Sequence, residues 1–396
     1  MSLGASPLKP RQRTGYPAMS DLRAAVVESV DEHRSRLVAL STAIHSHPET
    51  AWEEYRACQW TADLLTAAGF AVTPSYLGLP TAFRAIYGTG SFRVGLMAEY
   101  DALPGLGHAC GHNLIAASSA GAGISLAAVA DELDLTIEVY GTPAEEGGGG
   151  KIELIDRGAF AGLDLAMMAH PAPVDIAEAR PFAVSHSHIR YDGKAAHAAA
   201  YPDEGVNAND AFLVAQVALG LLRQQLPDSV RVHGIMTNAG QAPNAIPDVT
   251  EGRWYVRAKS LAELAAIEGR VWRCFEAGAL ASGAVLTVTP ESKPYAEFRA
   301  DGFALASYRT NAQTLGRSFD TSASASRMNR ASTDMGNVSQ LVPSIHPYIG
   351  IGSLPATNHQ KEFAEHCVGP EAELALTDAA TALAWTAIDV AAARNR

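Results

Sequence analysis

The chain has 396 residues, of which 47% are hydrophobic and 18% charged, and its formal net charge is -12. This length exceeds what one compact core holds and predicts roughly two domains, and the composition is that of a folded chain rather than a disordered one. The acidic balance, without a Lys/Arg run, argues against a nucleic-acid partner, because phosphate contacts need clustered positive charge.

The N-terminal residues 1–19 contain no apolar core of a signal peptide. We predict that they form a disordered leader, with Met19 as an alternative start. No stretch reaches the length of uninterrupted apolar sequence that a membrane span requires, so no membrane partner is expected. The four cysteines are far apart, which favours a reducing compartment and a cytoplasmic location.

The first half of the chain alternates helical and strand patterns. A helical pattern runs from Leu22 to Gly69 and is interrupted at Pro48, with Gly69 as a helix end. Three short strand patterns follow, and the third, "RVGLMAEYDA", is nearly continuously apolar, as in a strand buried on both faces. A small-residue helix, the strand "LTIEVYGT", a short helix and the strand "LDLAMMAHP" come next. This alternation predicts an α/β sheet covered by helices.

The pattern changes after about Pro173. Residues 180–294 read as β-α-β-β-α-β, which is the order of a ferredoxin-like unit. Helical and strand patterns of the earlier kind resume over 295–396. We therefore predict an α/β domain with a mixed sheet covered by helices, formed by 20–179 and 295–396, and an inserted ferredoxin-like α+β domain over 180–294.

Residues with metal-ligand chemistry gather where strands end. Sites in open α/β sheets form at the carboxyl ends of the strands. The strand-end residues that carry carboxylate, thiol or imidazole groups are Asp101, Cys110, His112, Glu145, Glu146, His170 and His359. These are the ligand types of zinc and similar divalent cations, so the sequence predicts a metal site at this edge of the sheet.

The segment "GLGHACGHN" admits other interpretations. Its glycine spacing matches neither a dinucleotide fingerprint nor a P-loop, and no resolving cysteine lies near Cys110 for a redox role. His108 is either a ligand or a hydrogen-bonding residue of the loop. Structural roles are expected for Cys58, Cys274, Cys367, His47 and His346.

Glu145 and Glu146 form an adjacent carboxylate pair directly after an apolar strand. Two such carboxylates repel each other unless a cation or a proton intervenes. A metal site uses both, one as ligand and the other as base on a water. A solvated loop pair is the alternative, which the preceding strand and the following "GGGG" disfavour.

Five motifs together carry a family resemblance: "AEYDALPGLGHACGHN", "GTPAEEGGGG", "GKAAHAAAYPDEGVNANDA", "PNAIPD" and "STDMGNVSQLVP". From about residue 21 to the end, the chain resembles the aminoacylase/carboxypeptidase family of two-metal amidohydrolases, metallopeptidase family 20. It is most similar to subfamily D, which contains hippurate hydrolase, auxin-conjugate hydrolases and p-aminobenzoyl-glutamate hydrolase. The resemblance implies a catalytic domain whose inserted domain is a lid that also dimerises.

The resemblance also implies roles for individual residues. The implied metal ligands are Cys110, His112, Glu146, His170 and His359, with His366 as a rival to His359. Glu145 is the implied general base, and Asp101 orients a ligand. His197 would stabilise the oxyanion in the partner subunit, and Asn244 and Arg257 would contact the substrate carbonyl and carboxylate. Much of the subfamily has aspartate where this chain has Asn113.

The implied cofactors are two divalent metal ions, zinc or manganese first and cobalt or nickel as alternatives. The implied activity is hydrolysis of the amide bond of a small N-acyl or N-aminoacyl amino acid by a homodimer. There are three alternatives: a metal-dependent hydrolase of an unusual C–N bond, a subunit of a hetero-oligomeric p-aminobenzoyl-glutamate hydrolase-like complex, and a structural zinc fold. The complete set of ligands and base disfavours the last two.

Overall fold

The computed structural model describes residues 18–322 and 331–394. The helices are α1 (Met19–Ser46), α2 (Tyr55–Ala67), α3 (His112–Ala127), α4 (Gly150–Asp156), α5 (Ala208–Leu222), α6 (Leu261–Ser282), α7 (Gly302–Thr314), α8 (Met335–Ser339), α9 (Lys361–His366) and α10 (Pro370–Arg394). The strands are β1 (Ala71–Pro74), β2 (Phe83–Tyr87), β3 (Phe92–Glu99), β4 (Leu135–Thr142), β5 (Leu165–Met167), β6 (His170–Ala172), β7 (Ala183–Asp192), β8 (Arg231–Asn238), β9 (Val249–Ala258), β10 (Val285–Pro290), β11 (Ser344–Ile345) and β12 (Tyr348–Gly350). Most of the predicted leader, residues 1–17, lies outside the described residues, and Met19 begins α1.

The larger sheet has the strand order β1-β2-β4-β3-β5-β11. Strand β3 runs parallel to both β4 and β5, and β11 runs parallel to β5, whereas β2 is antiparallel to β1 and β4. The sheet is therefore mixed, and helices pack on it, which confirms the predicted α/β class. Because β3 and β4 are parallel neighbours, the loops after Glu99 and Thr142 leave the sheet at the same edge.

Helix α3 lies at the centre of the part of the chain that contains the larger sheet. Every residue from His112 to Leu126 is buried, because α3 packs between the sheet and the helices α1 and α10. Small residues permit this close approach: a Cβ added at Gly123 would lie 2.6 Å from Cγ2 of Val139. The tight packing holds the N-terminus of α3, which begins with His112, against the edge of the sheet.

Helix α10 is long and apolar enough, by length and composition, to cross a membrane. However, 78% of its apolar window is buried inside the protein. Burial on this scale is the pattern of a core helix, and α10 packs against α1, α3 and α7.

The smaller sheet is antiparallel, with the strand order β10-β7-β9-β8. Helices α5 and α6 pack on it around a separate core, in which the ring centroids of Phe212 and Phe275 lie 5.2 and 5.3 Å from that of Trp254. Its elements follow one another as β7-α5-β8-β9-α6-β10. That this unit acts as an inserted lid stays a prediction.

Two strand ends, those near Asp101 and His170, differ from the expectation. Strand β3 ends at Glu99 and not at Asp101, because the backbone N–H of Ala102 bonds to the Glu49 carbonyl (2.8 Å) instead of continuing the ladder. His170 does not close β5 but begins the separate strand β6, which pairs with β12. Strand β7 ends at Asp192, so His197 lies beyond the sheet.

Candidate metal centre and active-site cavity

Gly111 separates the two predicted ligands Cys110 and His112. Its φ of 81° is in the left-handed region, and an added Cβ would lie 2.8 Å from Cβ of Pro171. Glycine at this position therefore lets the chain turn sharply into α3. The turn brings Sγ of Cys110 to 3.5 Å from Nε2 of His170.

The Asp101 carboxylate holds two of the predicted ligands. One oxygen accepts a hydrogen bond from Nδ1 of His112 (2.9 Å), and the other accepts one from the backbone N–H of Glu146 (2.9 Å). The first bond places the His112 proton on Nδ1, so the lone pair of Nε2 faces the site. Asp101 thus has the orienting position that the resemblance implied.

The loop after β4 carries Glu145 and Glu146 into the same space. Nε2 of His112 lies 3.8 Å from Oε2 of Glu145 and 3.7 Å from Oε1 of Glu146. The same Glu146 oxygen lies 3.6 Å from Nε2 of His359. Burial, together with the nearby carboxylates of Glu99 and Glu146, raises the pKa of Glu145 well above its usual range.

The donor atoms fit divalent cations. Three sets of donors each lie within 4.8 Å of one another: Cys110, His112 and His170; Cys110, Glu146 and His359; and Glu99, His112 and Glu145. Nε2 of His112 and Oε1 of Glu146 are buried without a hydrogen-bond partner. Orphaned buried atoms of this kind are costly unless a further group satisfies them. Thiolate, imidazole and carboxylate donors suit zinc and related ions, and Cys110 and His112 each belong to two sets, so the sets describe adjacent positions.

Burial sets the protonation of two of the donors, His170 and Cys110. Burial, with His346 next, lowers the pKa of His170 well below its usual range, which keeps the imidazole neutral and able to bind a metal. Burial and the Glu146 carboxylate raise the pKa of the Cys110 thiol. Ionisation of that thiol therefore requires a nearby cation.

A buried triad beneath these donors was missed by the sequence analysis. Nζ of Lys151 lies 2.6 Å from Oε1 of Glu99 and 2.6 Å from Oδ1 of Asp334, and all three side chains are fully buried. Glu99 also belongs to the third donor set. The position of Glu99 at a strand end was a usable signal, whereas its pairing with residues of α4 and the α8 region depends on tertiary packing.

Other residues that were singled out lie apart from the donor sets. His108 and His366 are in none of the three sets found among the described residues. His108 is buried and stacks on His45, with ring centroids 6.2 Å apart. Asn113 points away, because its Nδ2 donates to Oγ of Ser41 (2.8 Å) and to the Cys367 carbonyl (2.9 Å). An aspartate could not donate these two bonds, so asparagine suits this packing position.

A cavity of about 340 Å³ opens above the donors. Its catalytic side includes Cys110, Glu145, Glu146, His170 and His359. The opposite side is formed by residues of β7, β8 and β9, namely Val184, His186, His233, Tyr255 and Arg257. His346, which was expected to be structural, also lines the cavity; it is buried, and neither ring nitrogen has a hydrogen-bond partner.

Of the three residues within 180–294 that the resemblance assigned to the substrate or the oxyanion, one faces the cavity and two do not. Arg257 faces the cavity, and its Nη1 donates to Oγ of Ser332 (2.7 Å). His197 and Asn244 are exposed and are not among the described lining residues. They lie beside each other, since the Ala198 N–H bonds to the Asn244 carbonyl (3.0 Å). The roles of His197 and Asn244 stay predictions.

Comparisons with known proteins agree with this geometry. The sequence profile of Peptidase family M20/M25/M40 matches residues 95–380. The chain is 42% identical to the Xaa-Arg dipeptidase of Mus musculus over 384 residues, which is 93% of this chain and 89% of that protein. It is 31% identical to a subunit of the p-aminobenzoyl-glutamate hydrolase of Escherichia coli (strain K12) over 283 residues, 66% of this chain and 59% of that one.

Among solved structures, a dinuclear metal-binding M20 peptidase from Bacillus subtilis superposes with a TM-score of 0.65 at 22% identity, over 91% of this chain and 99% of that chain. An aminobenzoyl-glutamate utilization protein from Klebsiella pneumoniae gives a TM-score of 0.68 at 18% identity, over 91% and 97%. At these identities the likeness establishes a shared fold. Taken with the profile match and the extended identity to the dipeptidases, it shows that the chain belongs to Peptidase family M20/M25/M40 and is a metal-dependent hydrolase of amide C–N bonds.

Proposed function

We propose that this enzyme is a dipeptidase that removes a C-terminal residue, with arginine as the preferred one. The observation that carries the proposal is the 42% identity to a protein named Xaa-Arg dipeptidase, over 89% of the length of that protein. The cavity supports it, because about 340 Å³ accommodates a small peptide rather than a folded polypeptide.

Arg257 is the proposed anchor for the carboxylate of the substrate. It lies on the side of the cavity that faces Glu145 and Glu146, and a guanidinium can bind a carboxylate through two parallel hydrogen bonds. Its Nε lies 3.3 Å from Nε2 of His233 and its Nη1 is bonded to Ser332, so the fork is held in place before substrate binds. A substrate whose C-terminal carboxylate is bound by Arg257 would place the preceding amide near the carboxylates of Glu145 and Glu146.

The chemistry that we propose uses Glu145 as general base. Two divalent ions, held by Cys110, His112, Glu146, His170 and His359, would polarise the substrate carbonyl and lower the pKa of a water molecule. Glu145 then accepts a proton from the attacking water and delivers it to the leaving amine. A hydrogen bond from the Tyr295 hydroxyl to the Glu145 carbonyl (2.7 Å) fixes the backbone of the base. Asp101 keeps His112 in the tautomer that leaves Nε2 free.

We further propose that two copies of the chain form a homodimer through the smaller sheet. Leu213, Val217 and Leu221 are spaced by four residues on α5 and are 62%, 58% and 62% exposed, and Ile235 on the edge strand β8 is 63% exposed. An apolar stripe beside an unpaired strand edge is the kind of surface that a second copy covers. Such a dimer would allow His197 of the partner subunit to stabilise the oxyanion.

A second candidate substrate is p-aminobenzoyl-glutamate or a similar acyl-glutamate. Apart from Glu145 and Glu146, the cavity lining within the described part of the chain has no carboxylate, so an acidic side chain would meet no additional repulsion there. The identity to the Escherichia coli hydrolase supports this candidate. The cytoplasmic location expected from the sequence stays part of the proposal, and all four cysteines are free thiols.

A substrate panel tests the proposal. The panel contains dipeptides ending in arginine, lysine, glutamate and alanine, together with p-aminobenzoyl-glutamate and an N-acetyl amino acid. Each compound is assayed with zinc, manganese, cobalt and nickel. We expect the highest kcat/KM for the dipeptide ending in arginine and little turnover of its C-terminal amide, which removes the charge that Arg257 binds. Preference for the acyl-glutamate would favour the second candidate, and metal binding without turnover would favour a subunit of a larger complex.

Light scattering of the purified chain tests the dimer. We expect twice the mass of the chain, and we expect Val217→Asp to give a monomer with lower turnover. Glu268→Lys, a charge substitution on the neighbouring helix α6, is the control. A fully active monomer would contradict the proposed role of His197.

A further inference from the structure

We propose that Glu54 is a positioning residue of the active site, which holds the turn that carries Glu145 without touching the substrate. Glu54 is fully buried at the start of α2, far in sequence from the metal-binding motifs. The proposal rests on the assignment of Glu145 as general base, and the experiment below separates the two.

One carboxylate oxygen of Glu54 joins two segments of the chain. Its Oε1 accepts hydrogen bonds from the backbone N–H of Trp52 (3.0 Å) and from that of Ala144 (2.8 Å). Ala144 directly precedes Glu145. The main chain that leads into the base is therefore bonded to a side chain of the connector between α1 and α2, residues 47–54.

Both residues bonded to Glu54 have an unfavourable backbone conformation. The φ angle is 69° at Trp52 and 55° at Ala144, the left-handed region that residues with a Cβ rarely adopt. Such conformations persist when the surroundings over-determine them, and they cluster at functional sites. The Ala144 carbonyl also accepts the N–H groups of Gly148 (3.0 Å) and Gly149 (2.8 Å), so the peptide units before and after Ala144 are both held.

The same connector reaches the other loop of the site. The Glu49 carbonyl accepts the Ala102 N–H (2.8 Å), next to Asp101, and Thr50 forms a parallel bridge with Ala102. The Trp52 indole lies against the glycine loop, since a Cβ added at Gly148 would lie 2.5 Å from Nε1 of Trp52. Residues 47–54 therefore contact both loops that supply the carboxylates of the site. A displacement of about 1 Å at a reacting group can reduce turnover roughly 100-fold. We therefore expect turnover to fall when the contact of residues 47–54 with these loops is lost.

Substitutions of Glu54 can separate its role as a hydrogen-bond acceptor from the effect of its negative charge. Glutamine keeps a carbonyl oxygen where Oε1 lies, and Oε2 of Glu54 has no hydrogen-bond partner to lose. Alanine removes the acceptor, and aspartate withdraws it by one methylene. Glu53, the exposed neighbour, provides a matched control.

The experiment measures kcat, KM, bound metal per chain and hydrogen exchange of the peptide that contains Ala144, for Glu54→Gln, Glu54→Ala, Glu54→Asp and Glu53→Ala. We expect Glu54→Ala and Glu54→Asp to lose about 30-fold or more in kcat, with KM and metal content near the parent values and faster exchange at Ala144. Glu54→Gln is expected within about 3-fold of the parent, and Glu53→Ala at the parent value. If Glu54→Ala fails to fold, the comparison of Glu54→Asp with Glu54→Gln decides.

Parental kcat in Glu54→Asp and Glu54→Ala, or equal loss in Glu54→Gln, would overturn the positioning role. Failure of the proposed function has a different signature, since Glu145→Gln would then retain turnover. Hydrogen exchange at Ala144 is measured without substrate, so it reports on the contact whichever amide the enzyme hydrolyses.

Discussion

Lys151→Met removes the cation of the buried triad and leaves two carboxylates behind. Nζ of Lys151 is 2.6 Å from a carboxylate oxygen of each of Glu99 and Asp334, and none of the three side chains is exposed. At an effective dielectric constant near 20, each contact corresponds to roughly 6 kcal/mol of Coulomb attraction, which offsets the cost of burying the charges. Removal of one partner from a buried ion pair costs about 3–5 kcal/mol, and we expect a loss in this range at pH 8.

The loss should depend on pH. Burial raises the pKa of Asp334 to about 6 even beside Lys151, and without the ammonium the pKa of Asp334 would rise further. A carboxyl whose folded pKa exceeds its unfolded value near 4 costs stability progressively as pH rises between the two values. The difference between Lys151→Met and the parent should therefore widen from pH 5 to pH 8.

Urea unfolding of the metal-free chain, followed by tryptophan fluorescence at both pH values, measures this difference. Lys293→Met is the control, because Lys293 pairs with Asp156 on the surface and is 56% exposed, and exposed pairs contribute at most about 1 kcal/mol. A loss below about 1 kcal/mol for Lys151→Met at pH 8, or a loss that grows toward pH 5, would contradict a stabilising role of the Lys151 ammonium.

Three further outcomes follow from the site. Chelation of the metals should abolish turnover and lower the midpoint of thermal unfolding, and added metal should restore both. The reason is that an ion at 100 times its Kd stabilises the folded chain by about 2.7 kcal/mol. A midpoint of thermal unfolding that does not change with chelator would contradict this prediction. Gly111→Ala should weaken metal binding and lower the free energy of unfolding by about 1–2 kcal/mol, since φ is 81° and the new Cβ would meet Pro171. Calorimetric titration with zinc measures the metal affinity, and an affinity equal to that of the parent would contradict the role of this turn in placing the ligands. Cys110→Ser should reduce zinc affinity more than manganese affinity, because the thiolate is the soft donor; equal losses in competition binding would argue against Cys110 as a ligand.

The sequence predicted the parts of the site that depend on local pattern. Cys110, His112, Glu145 and Glu146 were identified because ligand-type side chains followed apolar strands, and the parallel pairing of β3 and β4 brings those strand ends to one edge. The mixed sheet was likewise visible as alternating helices and strands.

The parts that depend on tertiary packing were not visible. Lys151 and Asp334 are 183 residues apart, and nothing local marks them as partners of Glu99. Glu54 resembles an ordinary residue at a helix start, and only the folded chain shows its bond to Ala144. His197 is exposed and lies apart from the described lining residues of the cavity, so the role that the resemblance implied for it stays a prediction that requires a second subunit.

In the proposed function, Glu145 acts as the general base of amide hydrolysis beside two bound metal ions. The most direct test of this role is the turnover of Glu145→Gln, measured on the best substrate of the panel at a metal content of two ions per chain. We expect unchanged metal content and a kcat about 10²- to 10⁴-fold lower, because general-base catalysis contributes an effect of that size. Turnover near the parent value at full metal content would contradict it.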